Sequence, residues 1–381
     1  MQQRSGFELL ASFCGPIRPA SIELRRVSIP MTEPFRISSG EVASKDALLV
    51  RLADGPHFGW GESSAMPGGF YSAETPDSCW EELAGHLLPA ICGQTFESIT
   101  DLAARLADTG FSRFATVAVE TAAWELVARA RGVTLHDLFG IRARPVASGL
   151  AVGLYENSGA LWSAVKRFEF EHYKRLKIKI KRGHDVQLVR AMREMMPGFP
   201  LFVDANADYS LADLDVFLEM DRFGLLMFEQ PFAGADLEGL AELQRRLRTP
   251  VCIDESADSA DQVRRAIEMG ACRIVNIKLQ RVGGFLEAMR ILDVCAAHGV
   301  PVWMGTMPEL GIGSAHALAL AAHPQFAYPT DVEPSRRWYA DDIVTPEIVL
   351  RNGFIDPPSG GYQIDPDKLA RYTLECRRWD S

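Results

Sequence analysis

Five ionisable residues recur along the chain at a nearly constant interval: Lys179, Asp204, Glu229, Asp254 and Lys278 lie 25, 25, 25 and 24 residues apart. Each closes a short apolar run, as in Leu201-Phe-Val-Asp204, Leu226-Met-Phe-Glu229, Val251-Cys-Ile-Asp254 and Ile274-Val-Asn-Ile-Lys278. A single Asp after a strand is commonly a helix cap or a turn residue. Three carboxylates converging on one desolvated mouth repel one another and require a cation. An all-oxygen donor set suits a hard divalent ion, Mg2+ before Ca2+, with Mn2+ also possible. No histidine ends these runs, which argues against zinc. The lysines flank the acids on both sides, and Lys177 points to the same side of its strand as Lys179. Burial and a like-charged neighbour lower an ammonium pKa, and a lysine tuned toward neutrality is an effective base. The chemistry expected of the set is proton transfer by a lysine base beside a bound divalent ion. The plainer reading is that the lysines only neutralise the acids.

Such residues need a frame that delivers one strand end per 25 residues. Strand candidates from residue 146 onward are 146–154, 175–180, 201–203, 225–228, Val251–Ile253, 273–277, Val302–Met304 and a weak 326–328, with amphipathic helices between them. Val189, Met192 and Met196 share one helical face, as do Leu240, Leu243 and Leu247. Gly270 and Gly299 stand where helices end. This alternation means right-handed crossovers and a parallel sheet, and the continuous apolar strands fit one buried on both faces. The expected fold class is α/β, a modified (β/α)7β TIM-like barrel over 146–329 with one helix missing or shortened, its active site at the C-terminal strand ends. Residues 21–145 read as α+β, with strands at 21–30 and 47–52 and helices at 75–88 and 114–131. Residues 330–381 are expected to pack back on that region, and 1–20 form an N-terminal extension.

The 381 residues carry 50 acidic and 40 basic side chains, a net charge of −10. That sign argues against a nucleic-acid or anionic-membrane partner. Seven scattered cysteines without a C-x-x-C pair support neither a disulfide framework nor a zinc knuckle. No apolar stretch approaches about 18 residues, and the first 20 residues lack the apolar core of a secretion signal, so a cytoplasmic protein is expected. His298, His316 and His323 fall on or near helices and are read as structural. Neither G-x-G-x-x-G nor G-x-x-x-x-G-K-[ST] occurs, which disfavours nucleotide binding.

The set Lys177-Ile-Lys179, V-D-A-N at 203–206, E-Q-P at 229–231, D-E-S at 254–256 and N-I-K-x-x-R-V-G-G at 276–284 closely resembles the enolase superfamily. Lysines on both sides resemble its muconate-lactonizing subgroup. The stretches 70–75, 305–311 and 328–331 resemble the branch of o-succinylbenzoate synthases and N-acylamino acid racemases. Residues Pro34-Phe35-Arg36 and Trp60-Gly61-Glu62 would belong to a capping domain over 21–145, completed by 330–381. The resemblance implies Lys179 and Lys278 as catalytic residues and Asp204, Glu229 and Asp254 as metal ligands. It implies Lys177, Asn206 and Glu255 as their supports, and Phe35, Phe70, Tyr71, Met307 and Glu309 as substrate contacts. The implied activity is Mg2+-dependent α-proton abstraction from a small-molecule carboxylate, giving o-succinylbenzoate-type dehydration, N-acylamino acid racemisation or both. Muconate-type cycloisomerisation, another racemisation or epimerisation of the subgroup, and non-catalytic carboxylate binding are the alternatives. A homo-oligomer, dimer or octamer, is implied as well. Thr306 replaces a family glycine and Pro308 stiffens the same loop, which bears on acyl-side specificity. Lys181-Arg182-Gly183 lacks the usual proline.

Overall fold

Strands β1 (Ser21–Ile37), β2 (Gly40–Asp54) and β3 (His57–Ser63) form an antiparallel meander, with Leu24 paired to Val50 and Val50 to Gly61. The structure is a computed structural model that describes residues 15–37, 40–69, 71–358 and 360–381; Cys14, Phe70 and most of the expected extension lie outside the described residues. Helix α1 (Arg113–Ala130) lies across β2 and β3. Its expected single apolar face is exceeded: 14 of its 18 residues are buried, because the barrel covers the side that the sheet does not. A Cβ on Gly61 would sit 1.9 Å from the Ala118 carbonyl oxygen, so glycine permits this close approach of strand and helix.

The helix expected over 75–88 begins at Pro76 and widens into a π turn at Leu83–Leu87 before resuming over Leu88–Ile91. Pro89 has no N–H to offer the preceding turn, and the Leu88 amide reaches back to the Leu83 carbonyl instead.

Seven parallel strands follow in sequence order: β4 (Leu150–Val152), β5 (Leu176–Lys179), β6 (Leu201–Asp204), β7 (Phe228–Glu229), β8 (Val251–Ile253), β9 (Ile274–Ile277) and β10 (Val302–Met304). Their crossover helices are α2 (Ser158–Arg167), α3 (Val186–Met195), α4 (Leu214–Met220), α5 (Leu237–Arg246), α6 (Ala260–Glu268), α7 (Phe285–His298) and α8 (Gly311–Ala321). β7 starts later than the run 225–228 suggests.

The weak eighth candidate joins the two edges of this curled sheet. On one side the Ala327 amide donates to the Val302 carbonyl at 3.0 Å and Asp331 to Met304 at 2.9 Å. On the other, Thr330 donates to Ala147 at 2.8 Å and receives the Gly149 amide at 2.9 Å. Only the short helix Ser335–Trp338 follows it. The chain then returns to the first sheet, where β11 (Thr373–Asp380) pairs antiparallel with β1. Among the described residues, no helix is long and apolar enough to cross a membrane.

Candidate active site

Register places the charged strand ends side by side. Lys179 is the ladder partner of Asp204, and Asp204 of Glu229. Below them Phe202, Met227, Cys252, Ile274 and Trp303 fill the barrel as a separate apolar floor. Above them a cleft is lined by Lys177, Lys179, Lys278, Asn206 and Asp331, with Phe35, Met66, Tyr71, Met307, Pro308 and Trp338 as its apolar wall. Phe35 from β1 meets Trp338 edge to face at 5.1 Å, so both ends of the chain contribute to that wall.

The three lysines are each less than a tenth exposed and each is engaged by carboxylates. Lys177 Nζ lies 3.1 Å from Asp204, 2.9 Å from Glu229 and 2.9 Å from Asp331. Lys179 Nζ donates to Asp204 Oδ2 at 2.6 Å and Asn206 Oδ1 at 2.8 Å. Lys278 Nζ donates to Asp254 Oδ2 at 2.9 Å and to the Tyr71 hydroxyl at 3.0 Å. Asn276 Nδ2 bridges Glu229 Oε1 at 2.9 Å and Asp254 Oδ1 at 3.2 Å, and Arg281 pairs with Asp254. Asn206 Nδ2 reaches Glu255 Oε1 at 3.3 Å.

These contacts run against the expected lowering of an ammonium pKa at Lys177 and Lys278. Burial disfavours the Lys177 ammonium, but Asp331, Glu229 and Asp204 outweigh it and hold its pKa well above the ordinary value. At Lys278 burial is likewise overcome, here by Asp254, and the pKa is raised. Burial opposes the charge on Asp204 too, yet Lys179 and Lys177 hold its pKa low. Glu229 is pushed up to about 8 by burial and by Asp204 beside it, and Glu255 to about 7 by burial and Asp254.

Among the described residues, no three His, Cys, Asp or Glu side chains are gathered closely enough to hold a metal ion as they stand. The physical reason is the interleaving of Lys177 and Asn276 between the acids. The donor chemistry nonetheless fits a hard cation: three carboxylates at most 1% exposed on adjoining strands, with Glu229 Oε2 lacking a hydrogen-bond donor although the Lys177 ammonium is 2.9 Å away.

Other site residues are placed as follows. Phe35, Tyr71 and Met307 line the cleft. Glu309 does not; its buried carboxyl lies behind the loop, pushed up to about 7 by burial and by Glu62. Asp331, Arg175, Asn276 and Arg281 were not singled out as site residues from sequence. Asn276 and Arg281 stand inside the N-I-K-x-x-R run, and Arg175 shares the parity of Lys177 and Lys179 on its strand. Of the histidines, His316 is buried on α8 and His298 Nδ1 lies 2.9 Å from the Val294 carbonyl oxygen. The six described cysteines are free.

Residues 21–140 match the mandelate racemase/muconate lactonizing enzyme N-terminal domain, and residues 161–369 match the enolase C-terminal domain-like family. The chain belongs to the enolase superfamily. It is an enzyme of that superfamily, and its relatives align over almost their whole length. It is 39% identical over 354 residues to an o-succinylbenzoate synthase from Geobacillus kaustophilus, covering 92% of this chain and 94% of the relative. It is 41% identical over 342 residues to an N-succinylamino acid racemase from Amycolatopsis, covering 90% and 93%. A solved superfamily member from Listeria innocua superposes with a TM-score of 0.88 at 33% identity, covering 95% of this chain and 98% of that one.

Proposed function

We propose that this enzyme removes the α-proton of a small carboxylate, with Lys179 and Lys278 as the acid–base pair, and uses that step for o-succinylbenzoate-type dehydration, N-acylamino acid racemisation or both. The observation that carries this reading is that both lysine ammonium groups line one cleft, each bonded to a different acid of the strand-end set. Mg2+ held by Asp204, Glu229 and Asp254 would act as a Lewis acid on the substrate carboxylate and offset the negative charge that raises Lys278.

The chain's own groups account for the rest. The Nζ of one lysine takes the proton from one face of the α-carbon. In racemisation the Nζ of the other returns a proton to the opposite face. In dehydration the proton that Lys179 Nζ has taken passes to the β-hydroxyl, which leaves as water, and Lys278 on the opposite face serves as a fixed cation beside the developing charge. The apolar wall of Phe35, Met66, Met307 and Trp338 suits a substrate whose body is hydrophobic.

Both activities are named among relatives of similar identity, so the assay must offer both substrates. Purified enzyme with Mg2+ should dehydrate the o-succinylbenzoate precursor or racemise N-succinyl and N-acetyl amino acids. Lys179→Ala and Lys278→Ala should each lower turnover by about 10²–10⁴-fold. Wild-type rates of α-hydrogen exchange with deuterium in both variants would sink the reading.

A further inference from the structure

Lys179 and Lys278 are held by different parts of the molecule. The polar partners of Lys179, Asp204 and Asn206, both come from the neighbouring barrel strand and the turn that follows it. The segment carrying Lys278 is instead gripped from the N-terminal region at three points. The Tyr71 hydroxyl meets Lys278 Nζ at 3.0 Å, and the Tyr71 ring lies 5.0 Å from it. Two residues on, the Gln280 side chain, 2% exposed, makes two hydrogen bonds at the end of β3: it donates to the Glu62 carbonyl at 2.9 Å and accepts the Ser64 amide at 2.9 Å.

The third point is Glu120 on α1. Its carboxylate accepts the Phe285 and Leu286 amides, both at 3.0 Å, and so caps α7 where that helix leaves the Lys278 turn. The Trp124 indole N–H, at 2.8 Å, holds the same carboxylate in place. The turn in between is sharp, with Gly283 at φ +89 and Gly284 at φ +132. A Cβ on Gly284 would fall 2.2 Å from Glu120 Oε2, so the second glycine of R-V-G-G leaves room for a carboxylate from outside the barrel.

We infer that Gln280 and Glu120 are positioning residues that fix Lys278 from the N-terminal region, so that this region governs proton transfer on one face of the substrate and not on the other. The inference rests on the two-lysine reading above and extends it: loosening the grip displaces one base and leaves the Lys179 face in register. A displacement of about 1 Å at a reacting group is enough to cost on the order of 10²-fold.

The test uses full-length enzyme with Mg2+ and separate D and L enantiomers of N-succinyl and N-acetyl amino acids in deuterium oxide, followed by proton NMR. Lys278→Ala first identifies the enantiomer whose α-proton faces Lys278. In Glu120→Gln and in Gln280→Met, exchange from that enantiomer should fall by about 10- to 100-fold, and exchange from the other should stay within about twofold of wild type. Leu243→Ala, a core truncation in α5, lowers stability without that asymmetry and serves as the control. Amide hydrogen exchange supplies a readout that needs no substrate: residues 278–286 should lose protection in both variants while 176–181 keep theirs. Equal loss from both enantiomers, no loss from either, or unchanged protection at 278–286 would overturn the inference. Absence of exchange from both enantiomers in the wild type would remove racemisation from the proposed function and leave dehydration, and the protection pattern would then decide the grip by itself.

Discussion

Lys177 Nζ and Asp331 Oδ2 lie 2.9 Å apart, tying β5 to the segment that joins the sheet edges. Asp331 also pairs with Arg175, which is 1% exposed and stacked 4.9 Å from the Phe202 ring. One acid therefore pairs with two buried cations, and it shares Lys177 with Asp204 and Glu229. In Asp331→Asn the cations would be left undercompensated, at a cost of about 3–5 kcal/mol in urea unfolding. Lys177 would also turn its full charge on the proposed metal ligands, and Mg2+ affinity by calorimetric titration should fall about 10-fold or more. Unchanged values for both would show that the pair is incidental.

Glu62 places the N-terminal region in contact with the loop that lines the cleft. Its carboxylate accepts the Leu310 amide at 2.8 Å and the Gly313 amide at 2.7 Å, at the start of α8, while Lys45 donates to the Met307 carbonyl at 3.1 Å. Burial raises the Glu62 pKa, against the opposing pull of Lys45. Glu62→Gln keeps the shape but loses one acceptor oxygen and the charge opposite Lys45. A loss of about 1–3 kcal/mol in unfolding free energy is expected, together with a raised KM from the loosened 305–310 loop.

His316 makes stability depend on acid pH. Burial, with Arg129 nearby, lowers its pKa to about 3 from an ordinary 6.5. The folded protein keeps the imidazole neutral where the unfolded chain binds a proton. The stabilisation is therefore complete above about pH 6.5 and drains away as pH falls toward 3, at about 1.4 kcal/mol per pH unit. Thermal unfolding midpoints of wild type should drop through this window. Those of His316→Leu should drop less steeply, and identical slopes would remove His316 as the cause.

Metal removal should act through the three strand-end acids. At 100 times the dissociation constant, an ion bound only by the folded state adds about 2.7 kcal/mol. Mg2+ should accordingly raise the unfolding midpoint of the chelator-treated enzyme, and Asp254→Asn should abolish most of that rise. A full rise in Asp254→Asn would place the ion elsewhere.

The strand-end acids and lysines were readable from sequence because a βα repeat spaces them evenly, and the ladder sets Lys179, Asp204 and Glu229 abreast as that spacing requires. The four helices between them, α3 to α6, were readable for the same reason. Residues that act across the chain were not. Asp331 faces Lys177 over 154 residues, and Glu120 faces Phe285 over 165, and no local period reports such pairings. At Lys177 and Lys278 the expected direction fails: burial is legible in the sequence, but the direction of the shift depends on which carboxylates are nearest, and that is a property of packing.

Gly305 shows how a residue without a side chain shapes the site. It stands at the exit of β10, where its amide donates to the Ile277 carbonyl at 3.0 Å. A Cβ there would meet Asn276 Oδ1 at 2.3 Å and Nδ2 at 2.6 Å. Asn276 is fully buried and its amide bridges Glu229 to Asp254, so it has no free space into which to retreat. Gly305→Ala should push that amide from between the two carboxylates and leave their spacing unset. Overpacking of this kind costs about 1–3 kcal/mol, which a protein of this size tolerates, so the variant should fold. Its Mg2+ affinity should nevertheless fall about 10-fold or more, and Asn276→Ala in the same background should remove the clash without restoring the bridge. Wild-type Mg2+ affinity in Gly305→Ala would mean that Asn276 does not set the geometry of the acids.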